Sequence, residues 1–234
     1  MKARVLKALA LSTAVFYVAF LLGPGFLYQT LTFPPDPYTS LANTVITASA
    51  ATVAAFPIAV LLAFYAMKRG LKGLMPLITF STAIPHTAVG LLLLPLFSRL
   101  GIVDTAIAVV ISMMVVSLPI GVGSLASVFS GGQKSLDEFL QPLGLNDLHI
   151  IWLHTRAEVF GVATSIILMW LRCFSELGAL LIVANRPATV GVYLFELFNR
   201  EGAAASVPYA LIVAFIGLAF STLVYFVSKR SWVV

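Results

Sequence analysis

Charge is what this sequence has least of. Only 10% of its 234 residues are Asp, Glu, Lys or Arg, against about 25% in a typical soluble domain. So few polar side chains cannot clothe a water-soluble globule. With 60% hydrophobic residues and a mean hydropathy of +1.03, the chain reads as an integral membrane protein. Cysteine is nearly absent too: Cys173 is alone, lies in an apolar run and forms no disulfide within the chain. His86 has no second histidine, cysteine or carboxylate at ligand spacing, so no metal is expected. The stretch "GGQKS" (Gly131–Ser135) resembles a phosphate loop only at first sight. Such a loop needs glycine directly before the lysine and again five residues earlier, where Gln133 and Val128 stand. The chain is therefore expected to bind no ATP itself. There is no internal repeat, and the inverted-repeat pattern of many secondary transporters is not visible.

What is present is a series of apolar runs. A spanning helix needs about 20 largely apolar residues. Six runs meet that length: Leu6–Leu27, Leu41–Met67, Leu74–Phe97, Thr105–Phe129, Val159–Ala184 and Val207–Val227. The first lacks a small-x-small cleavage site at its polar end and is read as a retained helix. Between the runs lie a proline-rich loop, "FPPDPYTS" (Phe33–Ser40), a tight basic turn, "KRGLKG" (Lys68–Gly73), and a short turn, "RLGIVD" (Arg99–Asp104). Backbone polar groups in lipid must be satisfied within each segment, which favours helices over strands. The fold expected is an all-α integral membrane protein, one transmembrane domain over residues 1–234.

The basic residues orient it. If six spans alternate, Lys2, Arg4, Lys7, Lys68, Arg69, Lys72, Lys134, Arg156, Lys229 and Arg230 share one side. Only Arg99, Arg186 and Arg200 fall on the other, and Arg172 lies inside a span. The positive-inside rule then makes both termini cytoplasmic in a multi-pass protein of the cell membrane. The net charge of +5 is a topology signal rather than a nucleic-acid footprint.

The longest polar stretch, Lys134–Glu158, falls on the cytoplasmic side between the fourth and fifth spans. Ser135 and Glu138 fit a capping box. The helix they start ends before Pro142, and Gly144 supplies a turn. Asn146 and Asp147 then read as an N-cap and acidic first turn of a second short helix, with Leu148, Ile151 and Trp152 on one stripe. Such a pair of helices either lies on the lipid headgroups or docks a protein.

Glu138 followed six residues later by Gly144, in the largest cytoplasmic loop ahead of the penultimate span, resembles the EAA loop of ABC-transporter permeases. That motif reads E-A-A-x-x-x-G, nine variable residues, then I-x-L-P. Phe139 and Leu140 occupy the alanine positions here, and His154-Thr155-Arg156-Ala157 the I-x-L-P positions. "AIPHTAVGLLLL" (Ala83–Leu94) resembles the third-helix region of the molybdate, tungstate and sulfate permeases, where I-P-H-T recurs. "WLRCFSELGALLIV" (Trp170–Val183) resembles their R-x-x-S-E-F-G-A stretch, with Leu177 replacing the aromatic. "LFELFNREGAAASVPYA" (Leu194–Ala210) is similar to the external loop that follows. The resemblance covers roughly residues 40–230 and points to the molybdate/tungstate branch, with sulfate as neighbour.

The resemblance implies six transmembrane helices with a coupling-helix loop between helices 4 and 5, and a homodimer with the path between the copies. It also implies a dimeric ATPase partner carrying ATP and Mg, and an extracytoplasmic oxyanion-binding protein meeting the loops around Pro34–Ser40 and Asn185–Val207. Docking of the ATPase is expected on Glu138, Gly144, Leu145, Asn146, Asp147 and Leu148, driving alternating access. For the path or gate the candidates are Pro85, His86, Thr87, Arg172, Ser175, Glu176 and Gly178. Arg172 and Glu176, four apart, can pair across one helical turn, either as a structural lock or beside a gate. Ser175, Gly178 and Ala179 are small enough for close helix approach. Pro85 should kink the third span; the hydroxyls of Thr79, Ser81 and Thr82 then either line a path or bond back to freed carbonyls. The rival reading is a self-sufficient proton-coupled carrier using Glu176. Gly144→Val is expected to abolish co-purification of the ATPase while leaving membrane insertion intact; undiminished co-purification would remove the coupling role.

Overall fold

A computed structural model describes residues 2–27, 37–71, 73–131 and 145–230. No strand occurs among them. In chain order the helices are α1 (Lys2–Leu22), α2 (Pro37–Lys68), α3 (Leu74–Thr79), α4 (His86–Leu100), α5 (Ala106–Gly131), α6 (Asp147–Ala157), α7 (Val159–Phe174), α8 (Leu180–Val183), α9 (Val190–Glu201) and α10 (Ala203–Arg230), with 3-10 turns at Gly23–Leu27 and Phe80–Ala83. Four stretches are single helices long and apolar enough to cross a membrane: Lys7–Leu27, Tyr38–Lys68, Ala106–Ser130 and Ala203–Thr222. Two bent helix pairs bring the number of spans to as many as six.

The first bend falls at the kink expected from Pro85 and the second joins the short helix α6 to the fifth expected span; the interruption that was not expected lies after Phe174. The third expected span turns by 105° between Leu74–Ala83 and His86–Leu100. Pro85 cannot donate a backbone hydrogen bond and drives the preceding residue out of helical geometry. Ile84 is accordingly extended, at φ −84° and ψ 127°. The fifth expected span, Val159–Ala184, stops at Phe174 and resumes only as the single turn α8. Its other end turns by 91° into α6.

The centre of the molecule is the long contact of α2 with α5. Ala48, Ala51, Ala55, Ala59, Ala63 and Ala66 are fully buried along one face of α2, at the three- and four-residue spacing that makes a stripe. Small side chains let two helices approach closely in a membrane, where packing rather than water drives association. Two clusters use the seam. One gathers Phe64, Leu125, Phe129, Ile151, Val162 and Met169, and the other Phe97, Val109, Met113, Cys173, Leu180 and Val192. Outward-facing Phe16, Phe20, Ile46, Val53, Leu92 and Phe226 are exposed, as side chains against lipid are.

The two ends are tied differently. At one, Gly101 closes α4 in a left-handed conformation (φ +66°), the usual helix terminator. Asp104 then donates its N–H to Val183 (3.1 Å) and accepts that of Asn185 (2.7 Å). At the other, Arg69 of the basic turn pairs with Asp147 at the start of α6. This places the 68–73 turn and α6 at one end of the bundle and the 99–104 turn at the other, as alternating spans require.

α4 and the α8 segment pack nearly backbone to backbone. A Cβ added at Gly90 would lie 2.7 Å from the Ala179 carbonyl oxygen and 2.9 Å from Ile182 Cβ, whereas one at Gly217 would meet nothing within 4 Å. Gly90→Ala is therefore expected to destabilise the protein by about 1–3 kcal/mol, the usual cost of overpacking, and Gly217→Ala to be tolerated. Thermal unfolding in detergent micelles measures both.

Candidate functional site

The two helix breaks meet. His86 opens α4 just after the Pro85 turn, and Arg172 and Glu176 flank the end of α7. Arg172 Nη2 donates to Glu176 Oε2 at 2.7 Å and lies 2.7 and 2.8 Å from Nδ1 and Nε2 of His86. His86 Nδ1 is 3.5 Å from the same carboxylate oxygen. The other oxygen, Oε1, accepts the Ala179 N–H at 2.8 Å, and Arg172 Nη1 donates to Ser175 Oγ at 3.3 Å. The Glu176 side chain is 0% exposed, Arg172 15% and His86 40%.

This geometry explains the interrupted span. The Glu176 carboxylate accepts the Ala179 N–H just past the end of α7 and so ties together the connection between α7 and the α8 turn. The expected i,i+4 pair is present, but across a break rather than along an intact helix. A charge in the bilayer core costs about 2.5–3.5 kcal/mol on insertion scales; pairing within 2.7 Å offsets that only because the remaining carboxylate oxygen is also satisfied. Gly178 completes the fit: a Cβ there would lie 2.8 Å from His86 Cβ and 3.1 Å from the Thr87 nitrogen. All seven expected path or gate residues, Pro85, His86, Thr87, Arg172, Ser175, Glu176 and Gly178, thus belong to one cluster.

Beside the cluster is a cleft of about 120 Å³ lined by Ser81, Thr82, His86, Val89, Pro119 and Arg172, among others. Ser81 and Thr82 line this cleft and, with Thr79, also bond to carbonyls of their own segment. Thr79 donates to the Met75 carbonyl (2.8 Å), Ser81 to Ile78 (2.9 Å) and Thr82 to Thr79 (2.6 Å).

The second feature is α6. Asn146 is its N-cap, its side chain accepting the His149 N–H at 3.0 Å. Asp147 accepts from the Tyr65 hydroxyl (2.9 Å) and from Arg69. The Arg69 guanidinium first, and the Tyr65 hydroxyl second, hold the Asp147 carboxyl below its ordinary value, so it stays ionised at neutral pH. Ile151 and His154 are buried, and the His154 ring stands edge-on to Phe129, 6.2 Å between centroids. Leu148 and Trp152 face out, 69% and 53% exposed, with the Arg156 guanidinium 5.1 Å from the centre of the Trp152 ring. The expected stripe of Leu148, Ile151 and Trp152 is therefore divided between two faces. Leu145 is half-buried ahead of the cap. Glu138, Gly144 and the helix expected to start at Ser135 lie outside the described residues.

No protein-family model matches the chain. The molybdate/tungstate transport system permease protein WtpB of Pyrococcus furiosus is 34% identical over 184 residues, 77% of this chain and 74% of that protein. WtpB of Thermococcus kodakarensis is 30% identical over 203 residues, 84% and 82% of the two chains. A probable molybdenum ABC transporter permease of Haloferax volcanii is 24% identical over 208 residues. The chain belongs to the molybdate/tungstate ABC permease family. The resemblance first seen in the I-P-H-T, S-E-L-G-A and EAA-like segments extends through most of the permease.

Sequence reasoning missed the partners of these residues. Tyr65 and Arg69 stand 82 and 78 positions from Asp147, and His86 stands 86 from Arg172; no spacing signal joins residues so far apart. It also missed α9, which follows a cis Arg186–Pro187 bond inside what reads as an external loop of the permease.

Removing one member of a buried ion pair leaves the other uncompensated, at about 3–5 kcal/mol. Glu176→Ala is expected to lose stability on that order, measured by unfolding in detergent. Arg172→Met combined with Glu176→Gln, which removes both charges and keeps an acceptor for Ala179, should lose clearly less.

Proposed function

We propose that this chain is the membrane-spanning subunit of an ATP-driven importer for a tetrahedral oxyanion, molybdate or tungstate. The observation that carries the reading is the outward face of α6: an apolar and aromatic patch of Leu148, Trp152 and Arg156 on a helix anchored at both ends, in a chain of this family. The named cargo of the relatives supports molybdate and tungstate over sulfate.

The ATPase subunit, holding ATP and Mg, docks on α6 from the cytoplasm. Exposed tryptophan in an arginine-flanked patch is the composition of an interface hot spot. The protein acts as a homodimer in the cell membrane, both termini cytoplasmic. The apolar window in Lys7–Leu27 has no buried residue; its end touches α10 at Leu211 and Phe215, and the rest is left to lipid or to a second copy. An extracytoplasmic binding protein delivers the anion to the opposite end, around Asn185–Val207. The Arg172–Glu176–His86 cluster, holding two broken spans together, is the element that gives way or reseals as the path alternates.

A proton-coupled carrier is served poorly by this geometry. Such a carrier needs a carboxylate that meets water, whereas Glu176 is fully enclosed with both oxygens bonded.

Reconstitution in liposomes tests the reading. With its ATPase and binding protein, ATP hydrolysis should rise on adding molybdate or tungstate, and the chain alone should show no uptake under a proton gradient. Trp152→Ala and Leu148→Asp are each expected to weaken ATPase binding at least about tenfold, some 1.4 kcal/mol. Uptake by the chain alone, or undiminished ATPase binding by both variants, would sink it.

A further inference from the structure

We infer that Asp147 is a positioning residue: with Tyr65 and Arg69 it clamps the docking helix α6 to α2, so that α2 carries movement of α6 across the membrane. The inference rests on α6 being the ATPase-docking helix. Three contacts hold α6. Its C-terminal end joins α7 through the single residue Glu158. Its inner face packs Ile151 and His154 against Phe129, which meets Phe64 of α2 edge-on at 6.3 Å. Its N-terminal end is held by the Asp147 carboxylate, with Oδ1 on Arg69 and Oδ2 on the Tyr65 hydroxyl. Apolar packing is non-directional and lets surfaces slide. Hydrogen bonds to both oxygens of one carboxylate are directional and fix α6 in one register on α2.

What lies at the far end of α2 gives this a consequence. The helix has 32 residues and so is about 48 Å long at 1.5 Å per residue. Near its start Ser40 Oγ is 2.9 Å from the Tyr209 hydroxyl, Asn43 donates to the Ala188 carbonyl at 3.2 Å, and Thr44 Oγ1 accepts the Val190 N–H at 2.7 Å. One rigid element thus has the docking helix hydrogen-bonded at one end and the segment around α9 and α10 at the other. α7, the covalent continuation of α6, reaches only the interior break at Ser175. Both carboxylate oxygens of Asp147 are engaged within the chain.

The test uses the reconstituted complex of permease, ATPase and binding protein. Tyr65→Phe and Arg69→Gln should leave recovery of the ATPase within about twofold of the parent while molybdate transported per ATP hydrolysed falls at least about threefold, and Asp147→Asn should show the same fall. Exchanging the charges, Arg69→Asp with Asp147→Arg, should restore more than half of that loss, which a merely structural role would not do. Spin labels on Leu71→Cys and Ala157→Cys should keep one distance with and without nucleotide in the parent, and two in Asp147→Asn. Loss of the ATPase from Asp147→Asn would make Asp147 a docking contact and overturn the inference. So would unchanged transport per ATP, or a label distance that shifts with nucleotide in the parent. Failure of the parent chain to bind any ATPase would instead bring down the functional reading beneath it.

Discussion

Within hydrocarbon no water is available to rescue an unpaired charge or an open backbone group, and this permease nevertheless interrupts two of its spans. What makes that tolerable is one carboxylate. Glu176 meets the Arg172 guanidinium through one oxygen and the Ala179 N–H through the other, while His86 closes on the pair from α4. A fully buried acid with both oxygens bonded cancels the charge of Arg172 and satisfies the backbone N–H ahead of the α8 turn. The break in the third span depends on the same group, because the α4 N-terminus carries a partial positive charge and presents His86 to it. Gly90 and Gly178 then admit the backbone-to-backbone approach that brings the groups within reach.

The interrupted pair contrasts with the seam of α2 and α5, where nothing polar is asked to hold the helices. Six buried alanines on α2 make a smooth face that packs along most of its length. The molecule therefore combines a rigid axis with two jointed spans fastened to it at one polar point. Such a division suits alternating access: rigid elements transmit displacement, and movement concentrates at joints whose contacts are few and directional. The same division separates the roles of the two ion pairs. Arg172–Glu176 is enclosed and fastens the joint, whereas Arg69–Asp147 is partly exposed, is worth little as a surface bridge, and serves geometry rather than stability.

Much of this was legible in the chain, and the reason is the solvent. Lipid demands long apolar runs, so the four unbroken spans follow from hydropathy alone. Pro85 announces its break because it lacks a donor, and Asn146 its helix start because it caps. Arg172 and Glu176 stand out because charge is rare in such company. The break after Phe174 was not legible, since "SELGALLIV" carries neither proline nor a turn cluster, and the Glu176–Ala179 bond that spans the break leaves no sequence signal. The division of Leu148, Ile151 and Trp152 between two faces was missed for a related reason. In an amphipathic helix this short, the stripe is defined by what it packs on, and Phe129 and Phe64 are distant in sequence.

The departures from the EAA-type pattern can be sorted by the same criterion. His154 stands where the pattern has an aliphatic residue, yet it is buried and its ring packs edge-on against Phe129. An apolar ring face there does the work of an aliphatic side chain, so the inward half of the helix keeps its function of seating α6 on the bundle. Arg156, at the leucine position, turns outward and stacks on Trp152. That change alters the surface offered to a partner: a flat aromatic covered by a guanidinium favours a partner surface with a carboxylate or carbonyl to meet the remaining N–H groups. The departures thus fall on both faces of α6: His154 on the face seated against its own chain, and Arg156 on the exposed one.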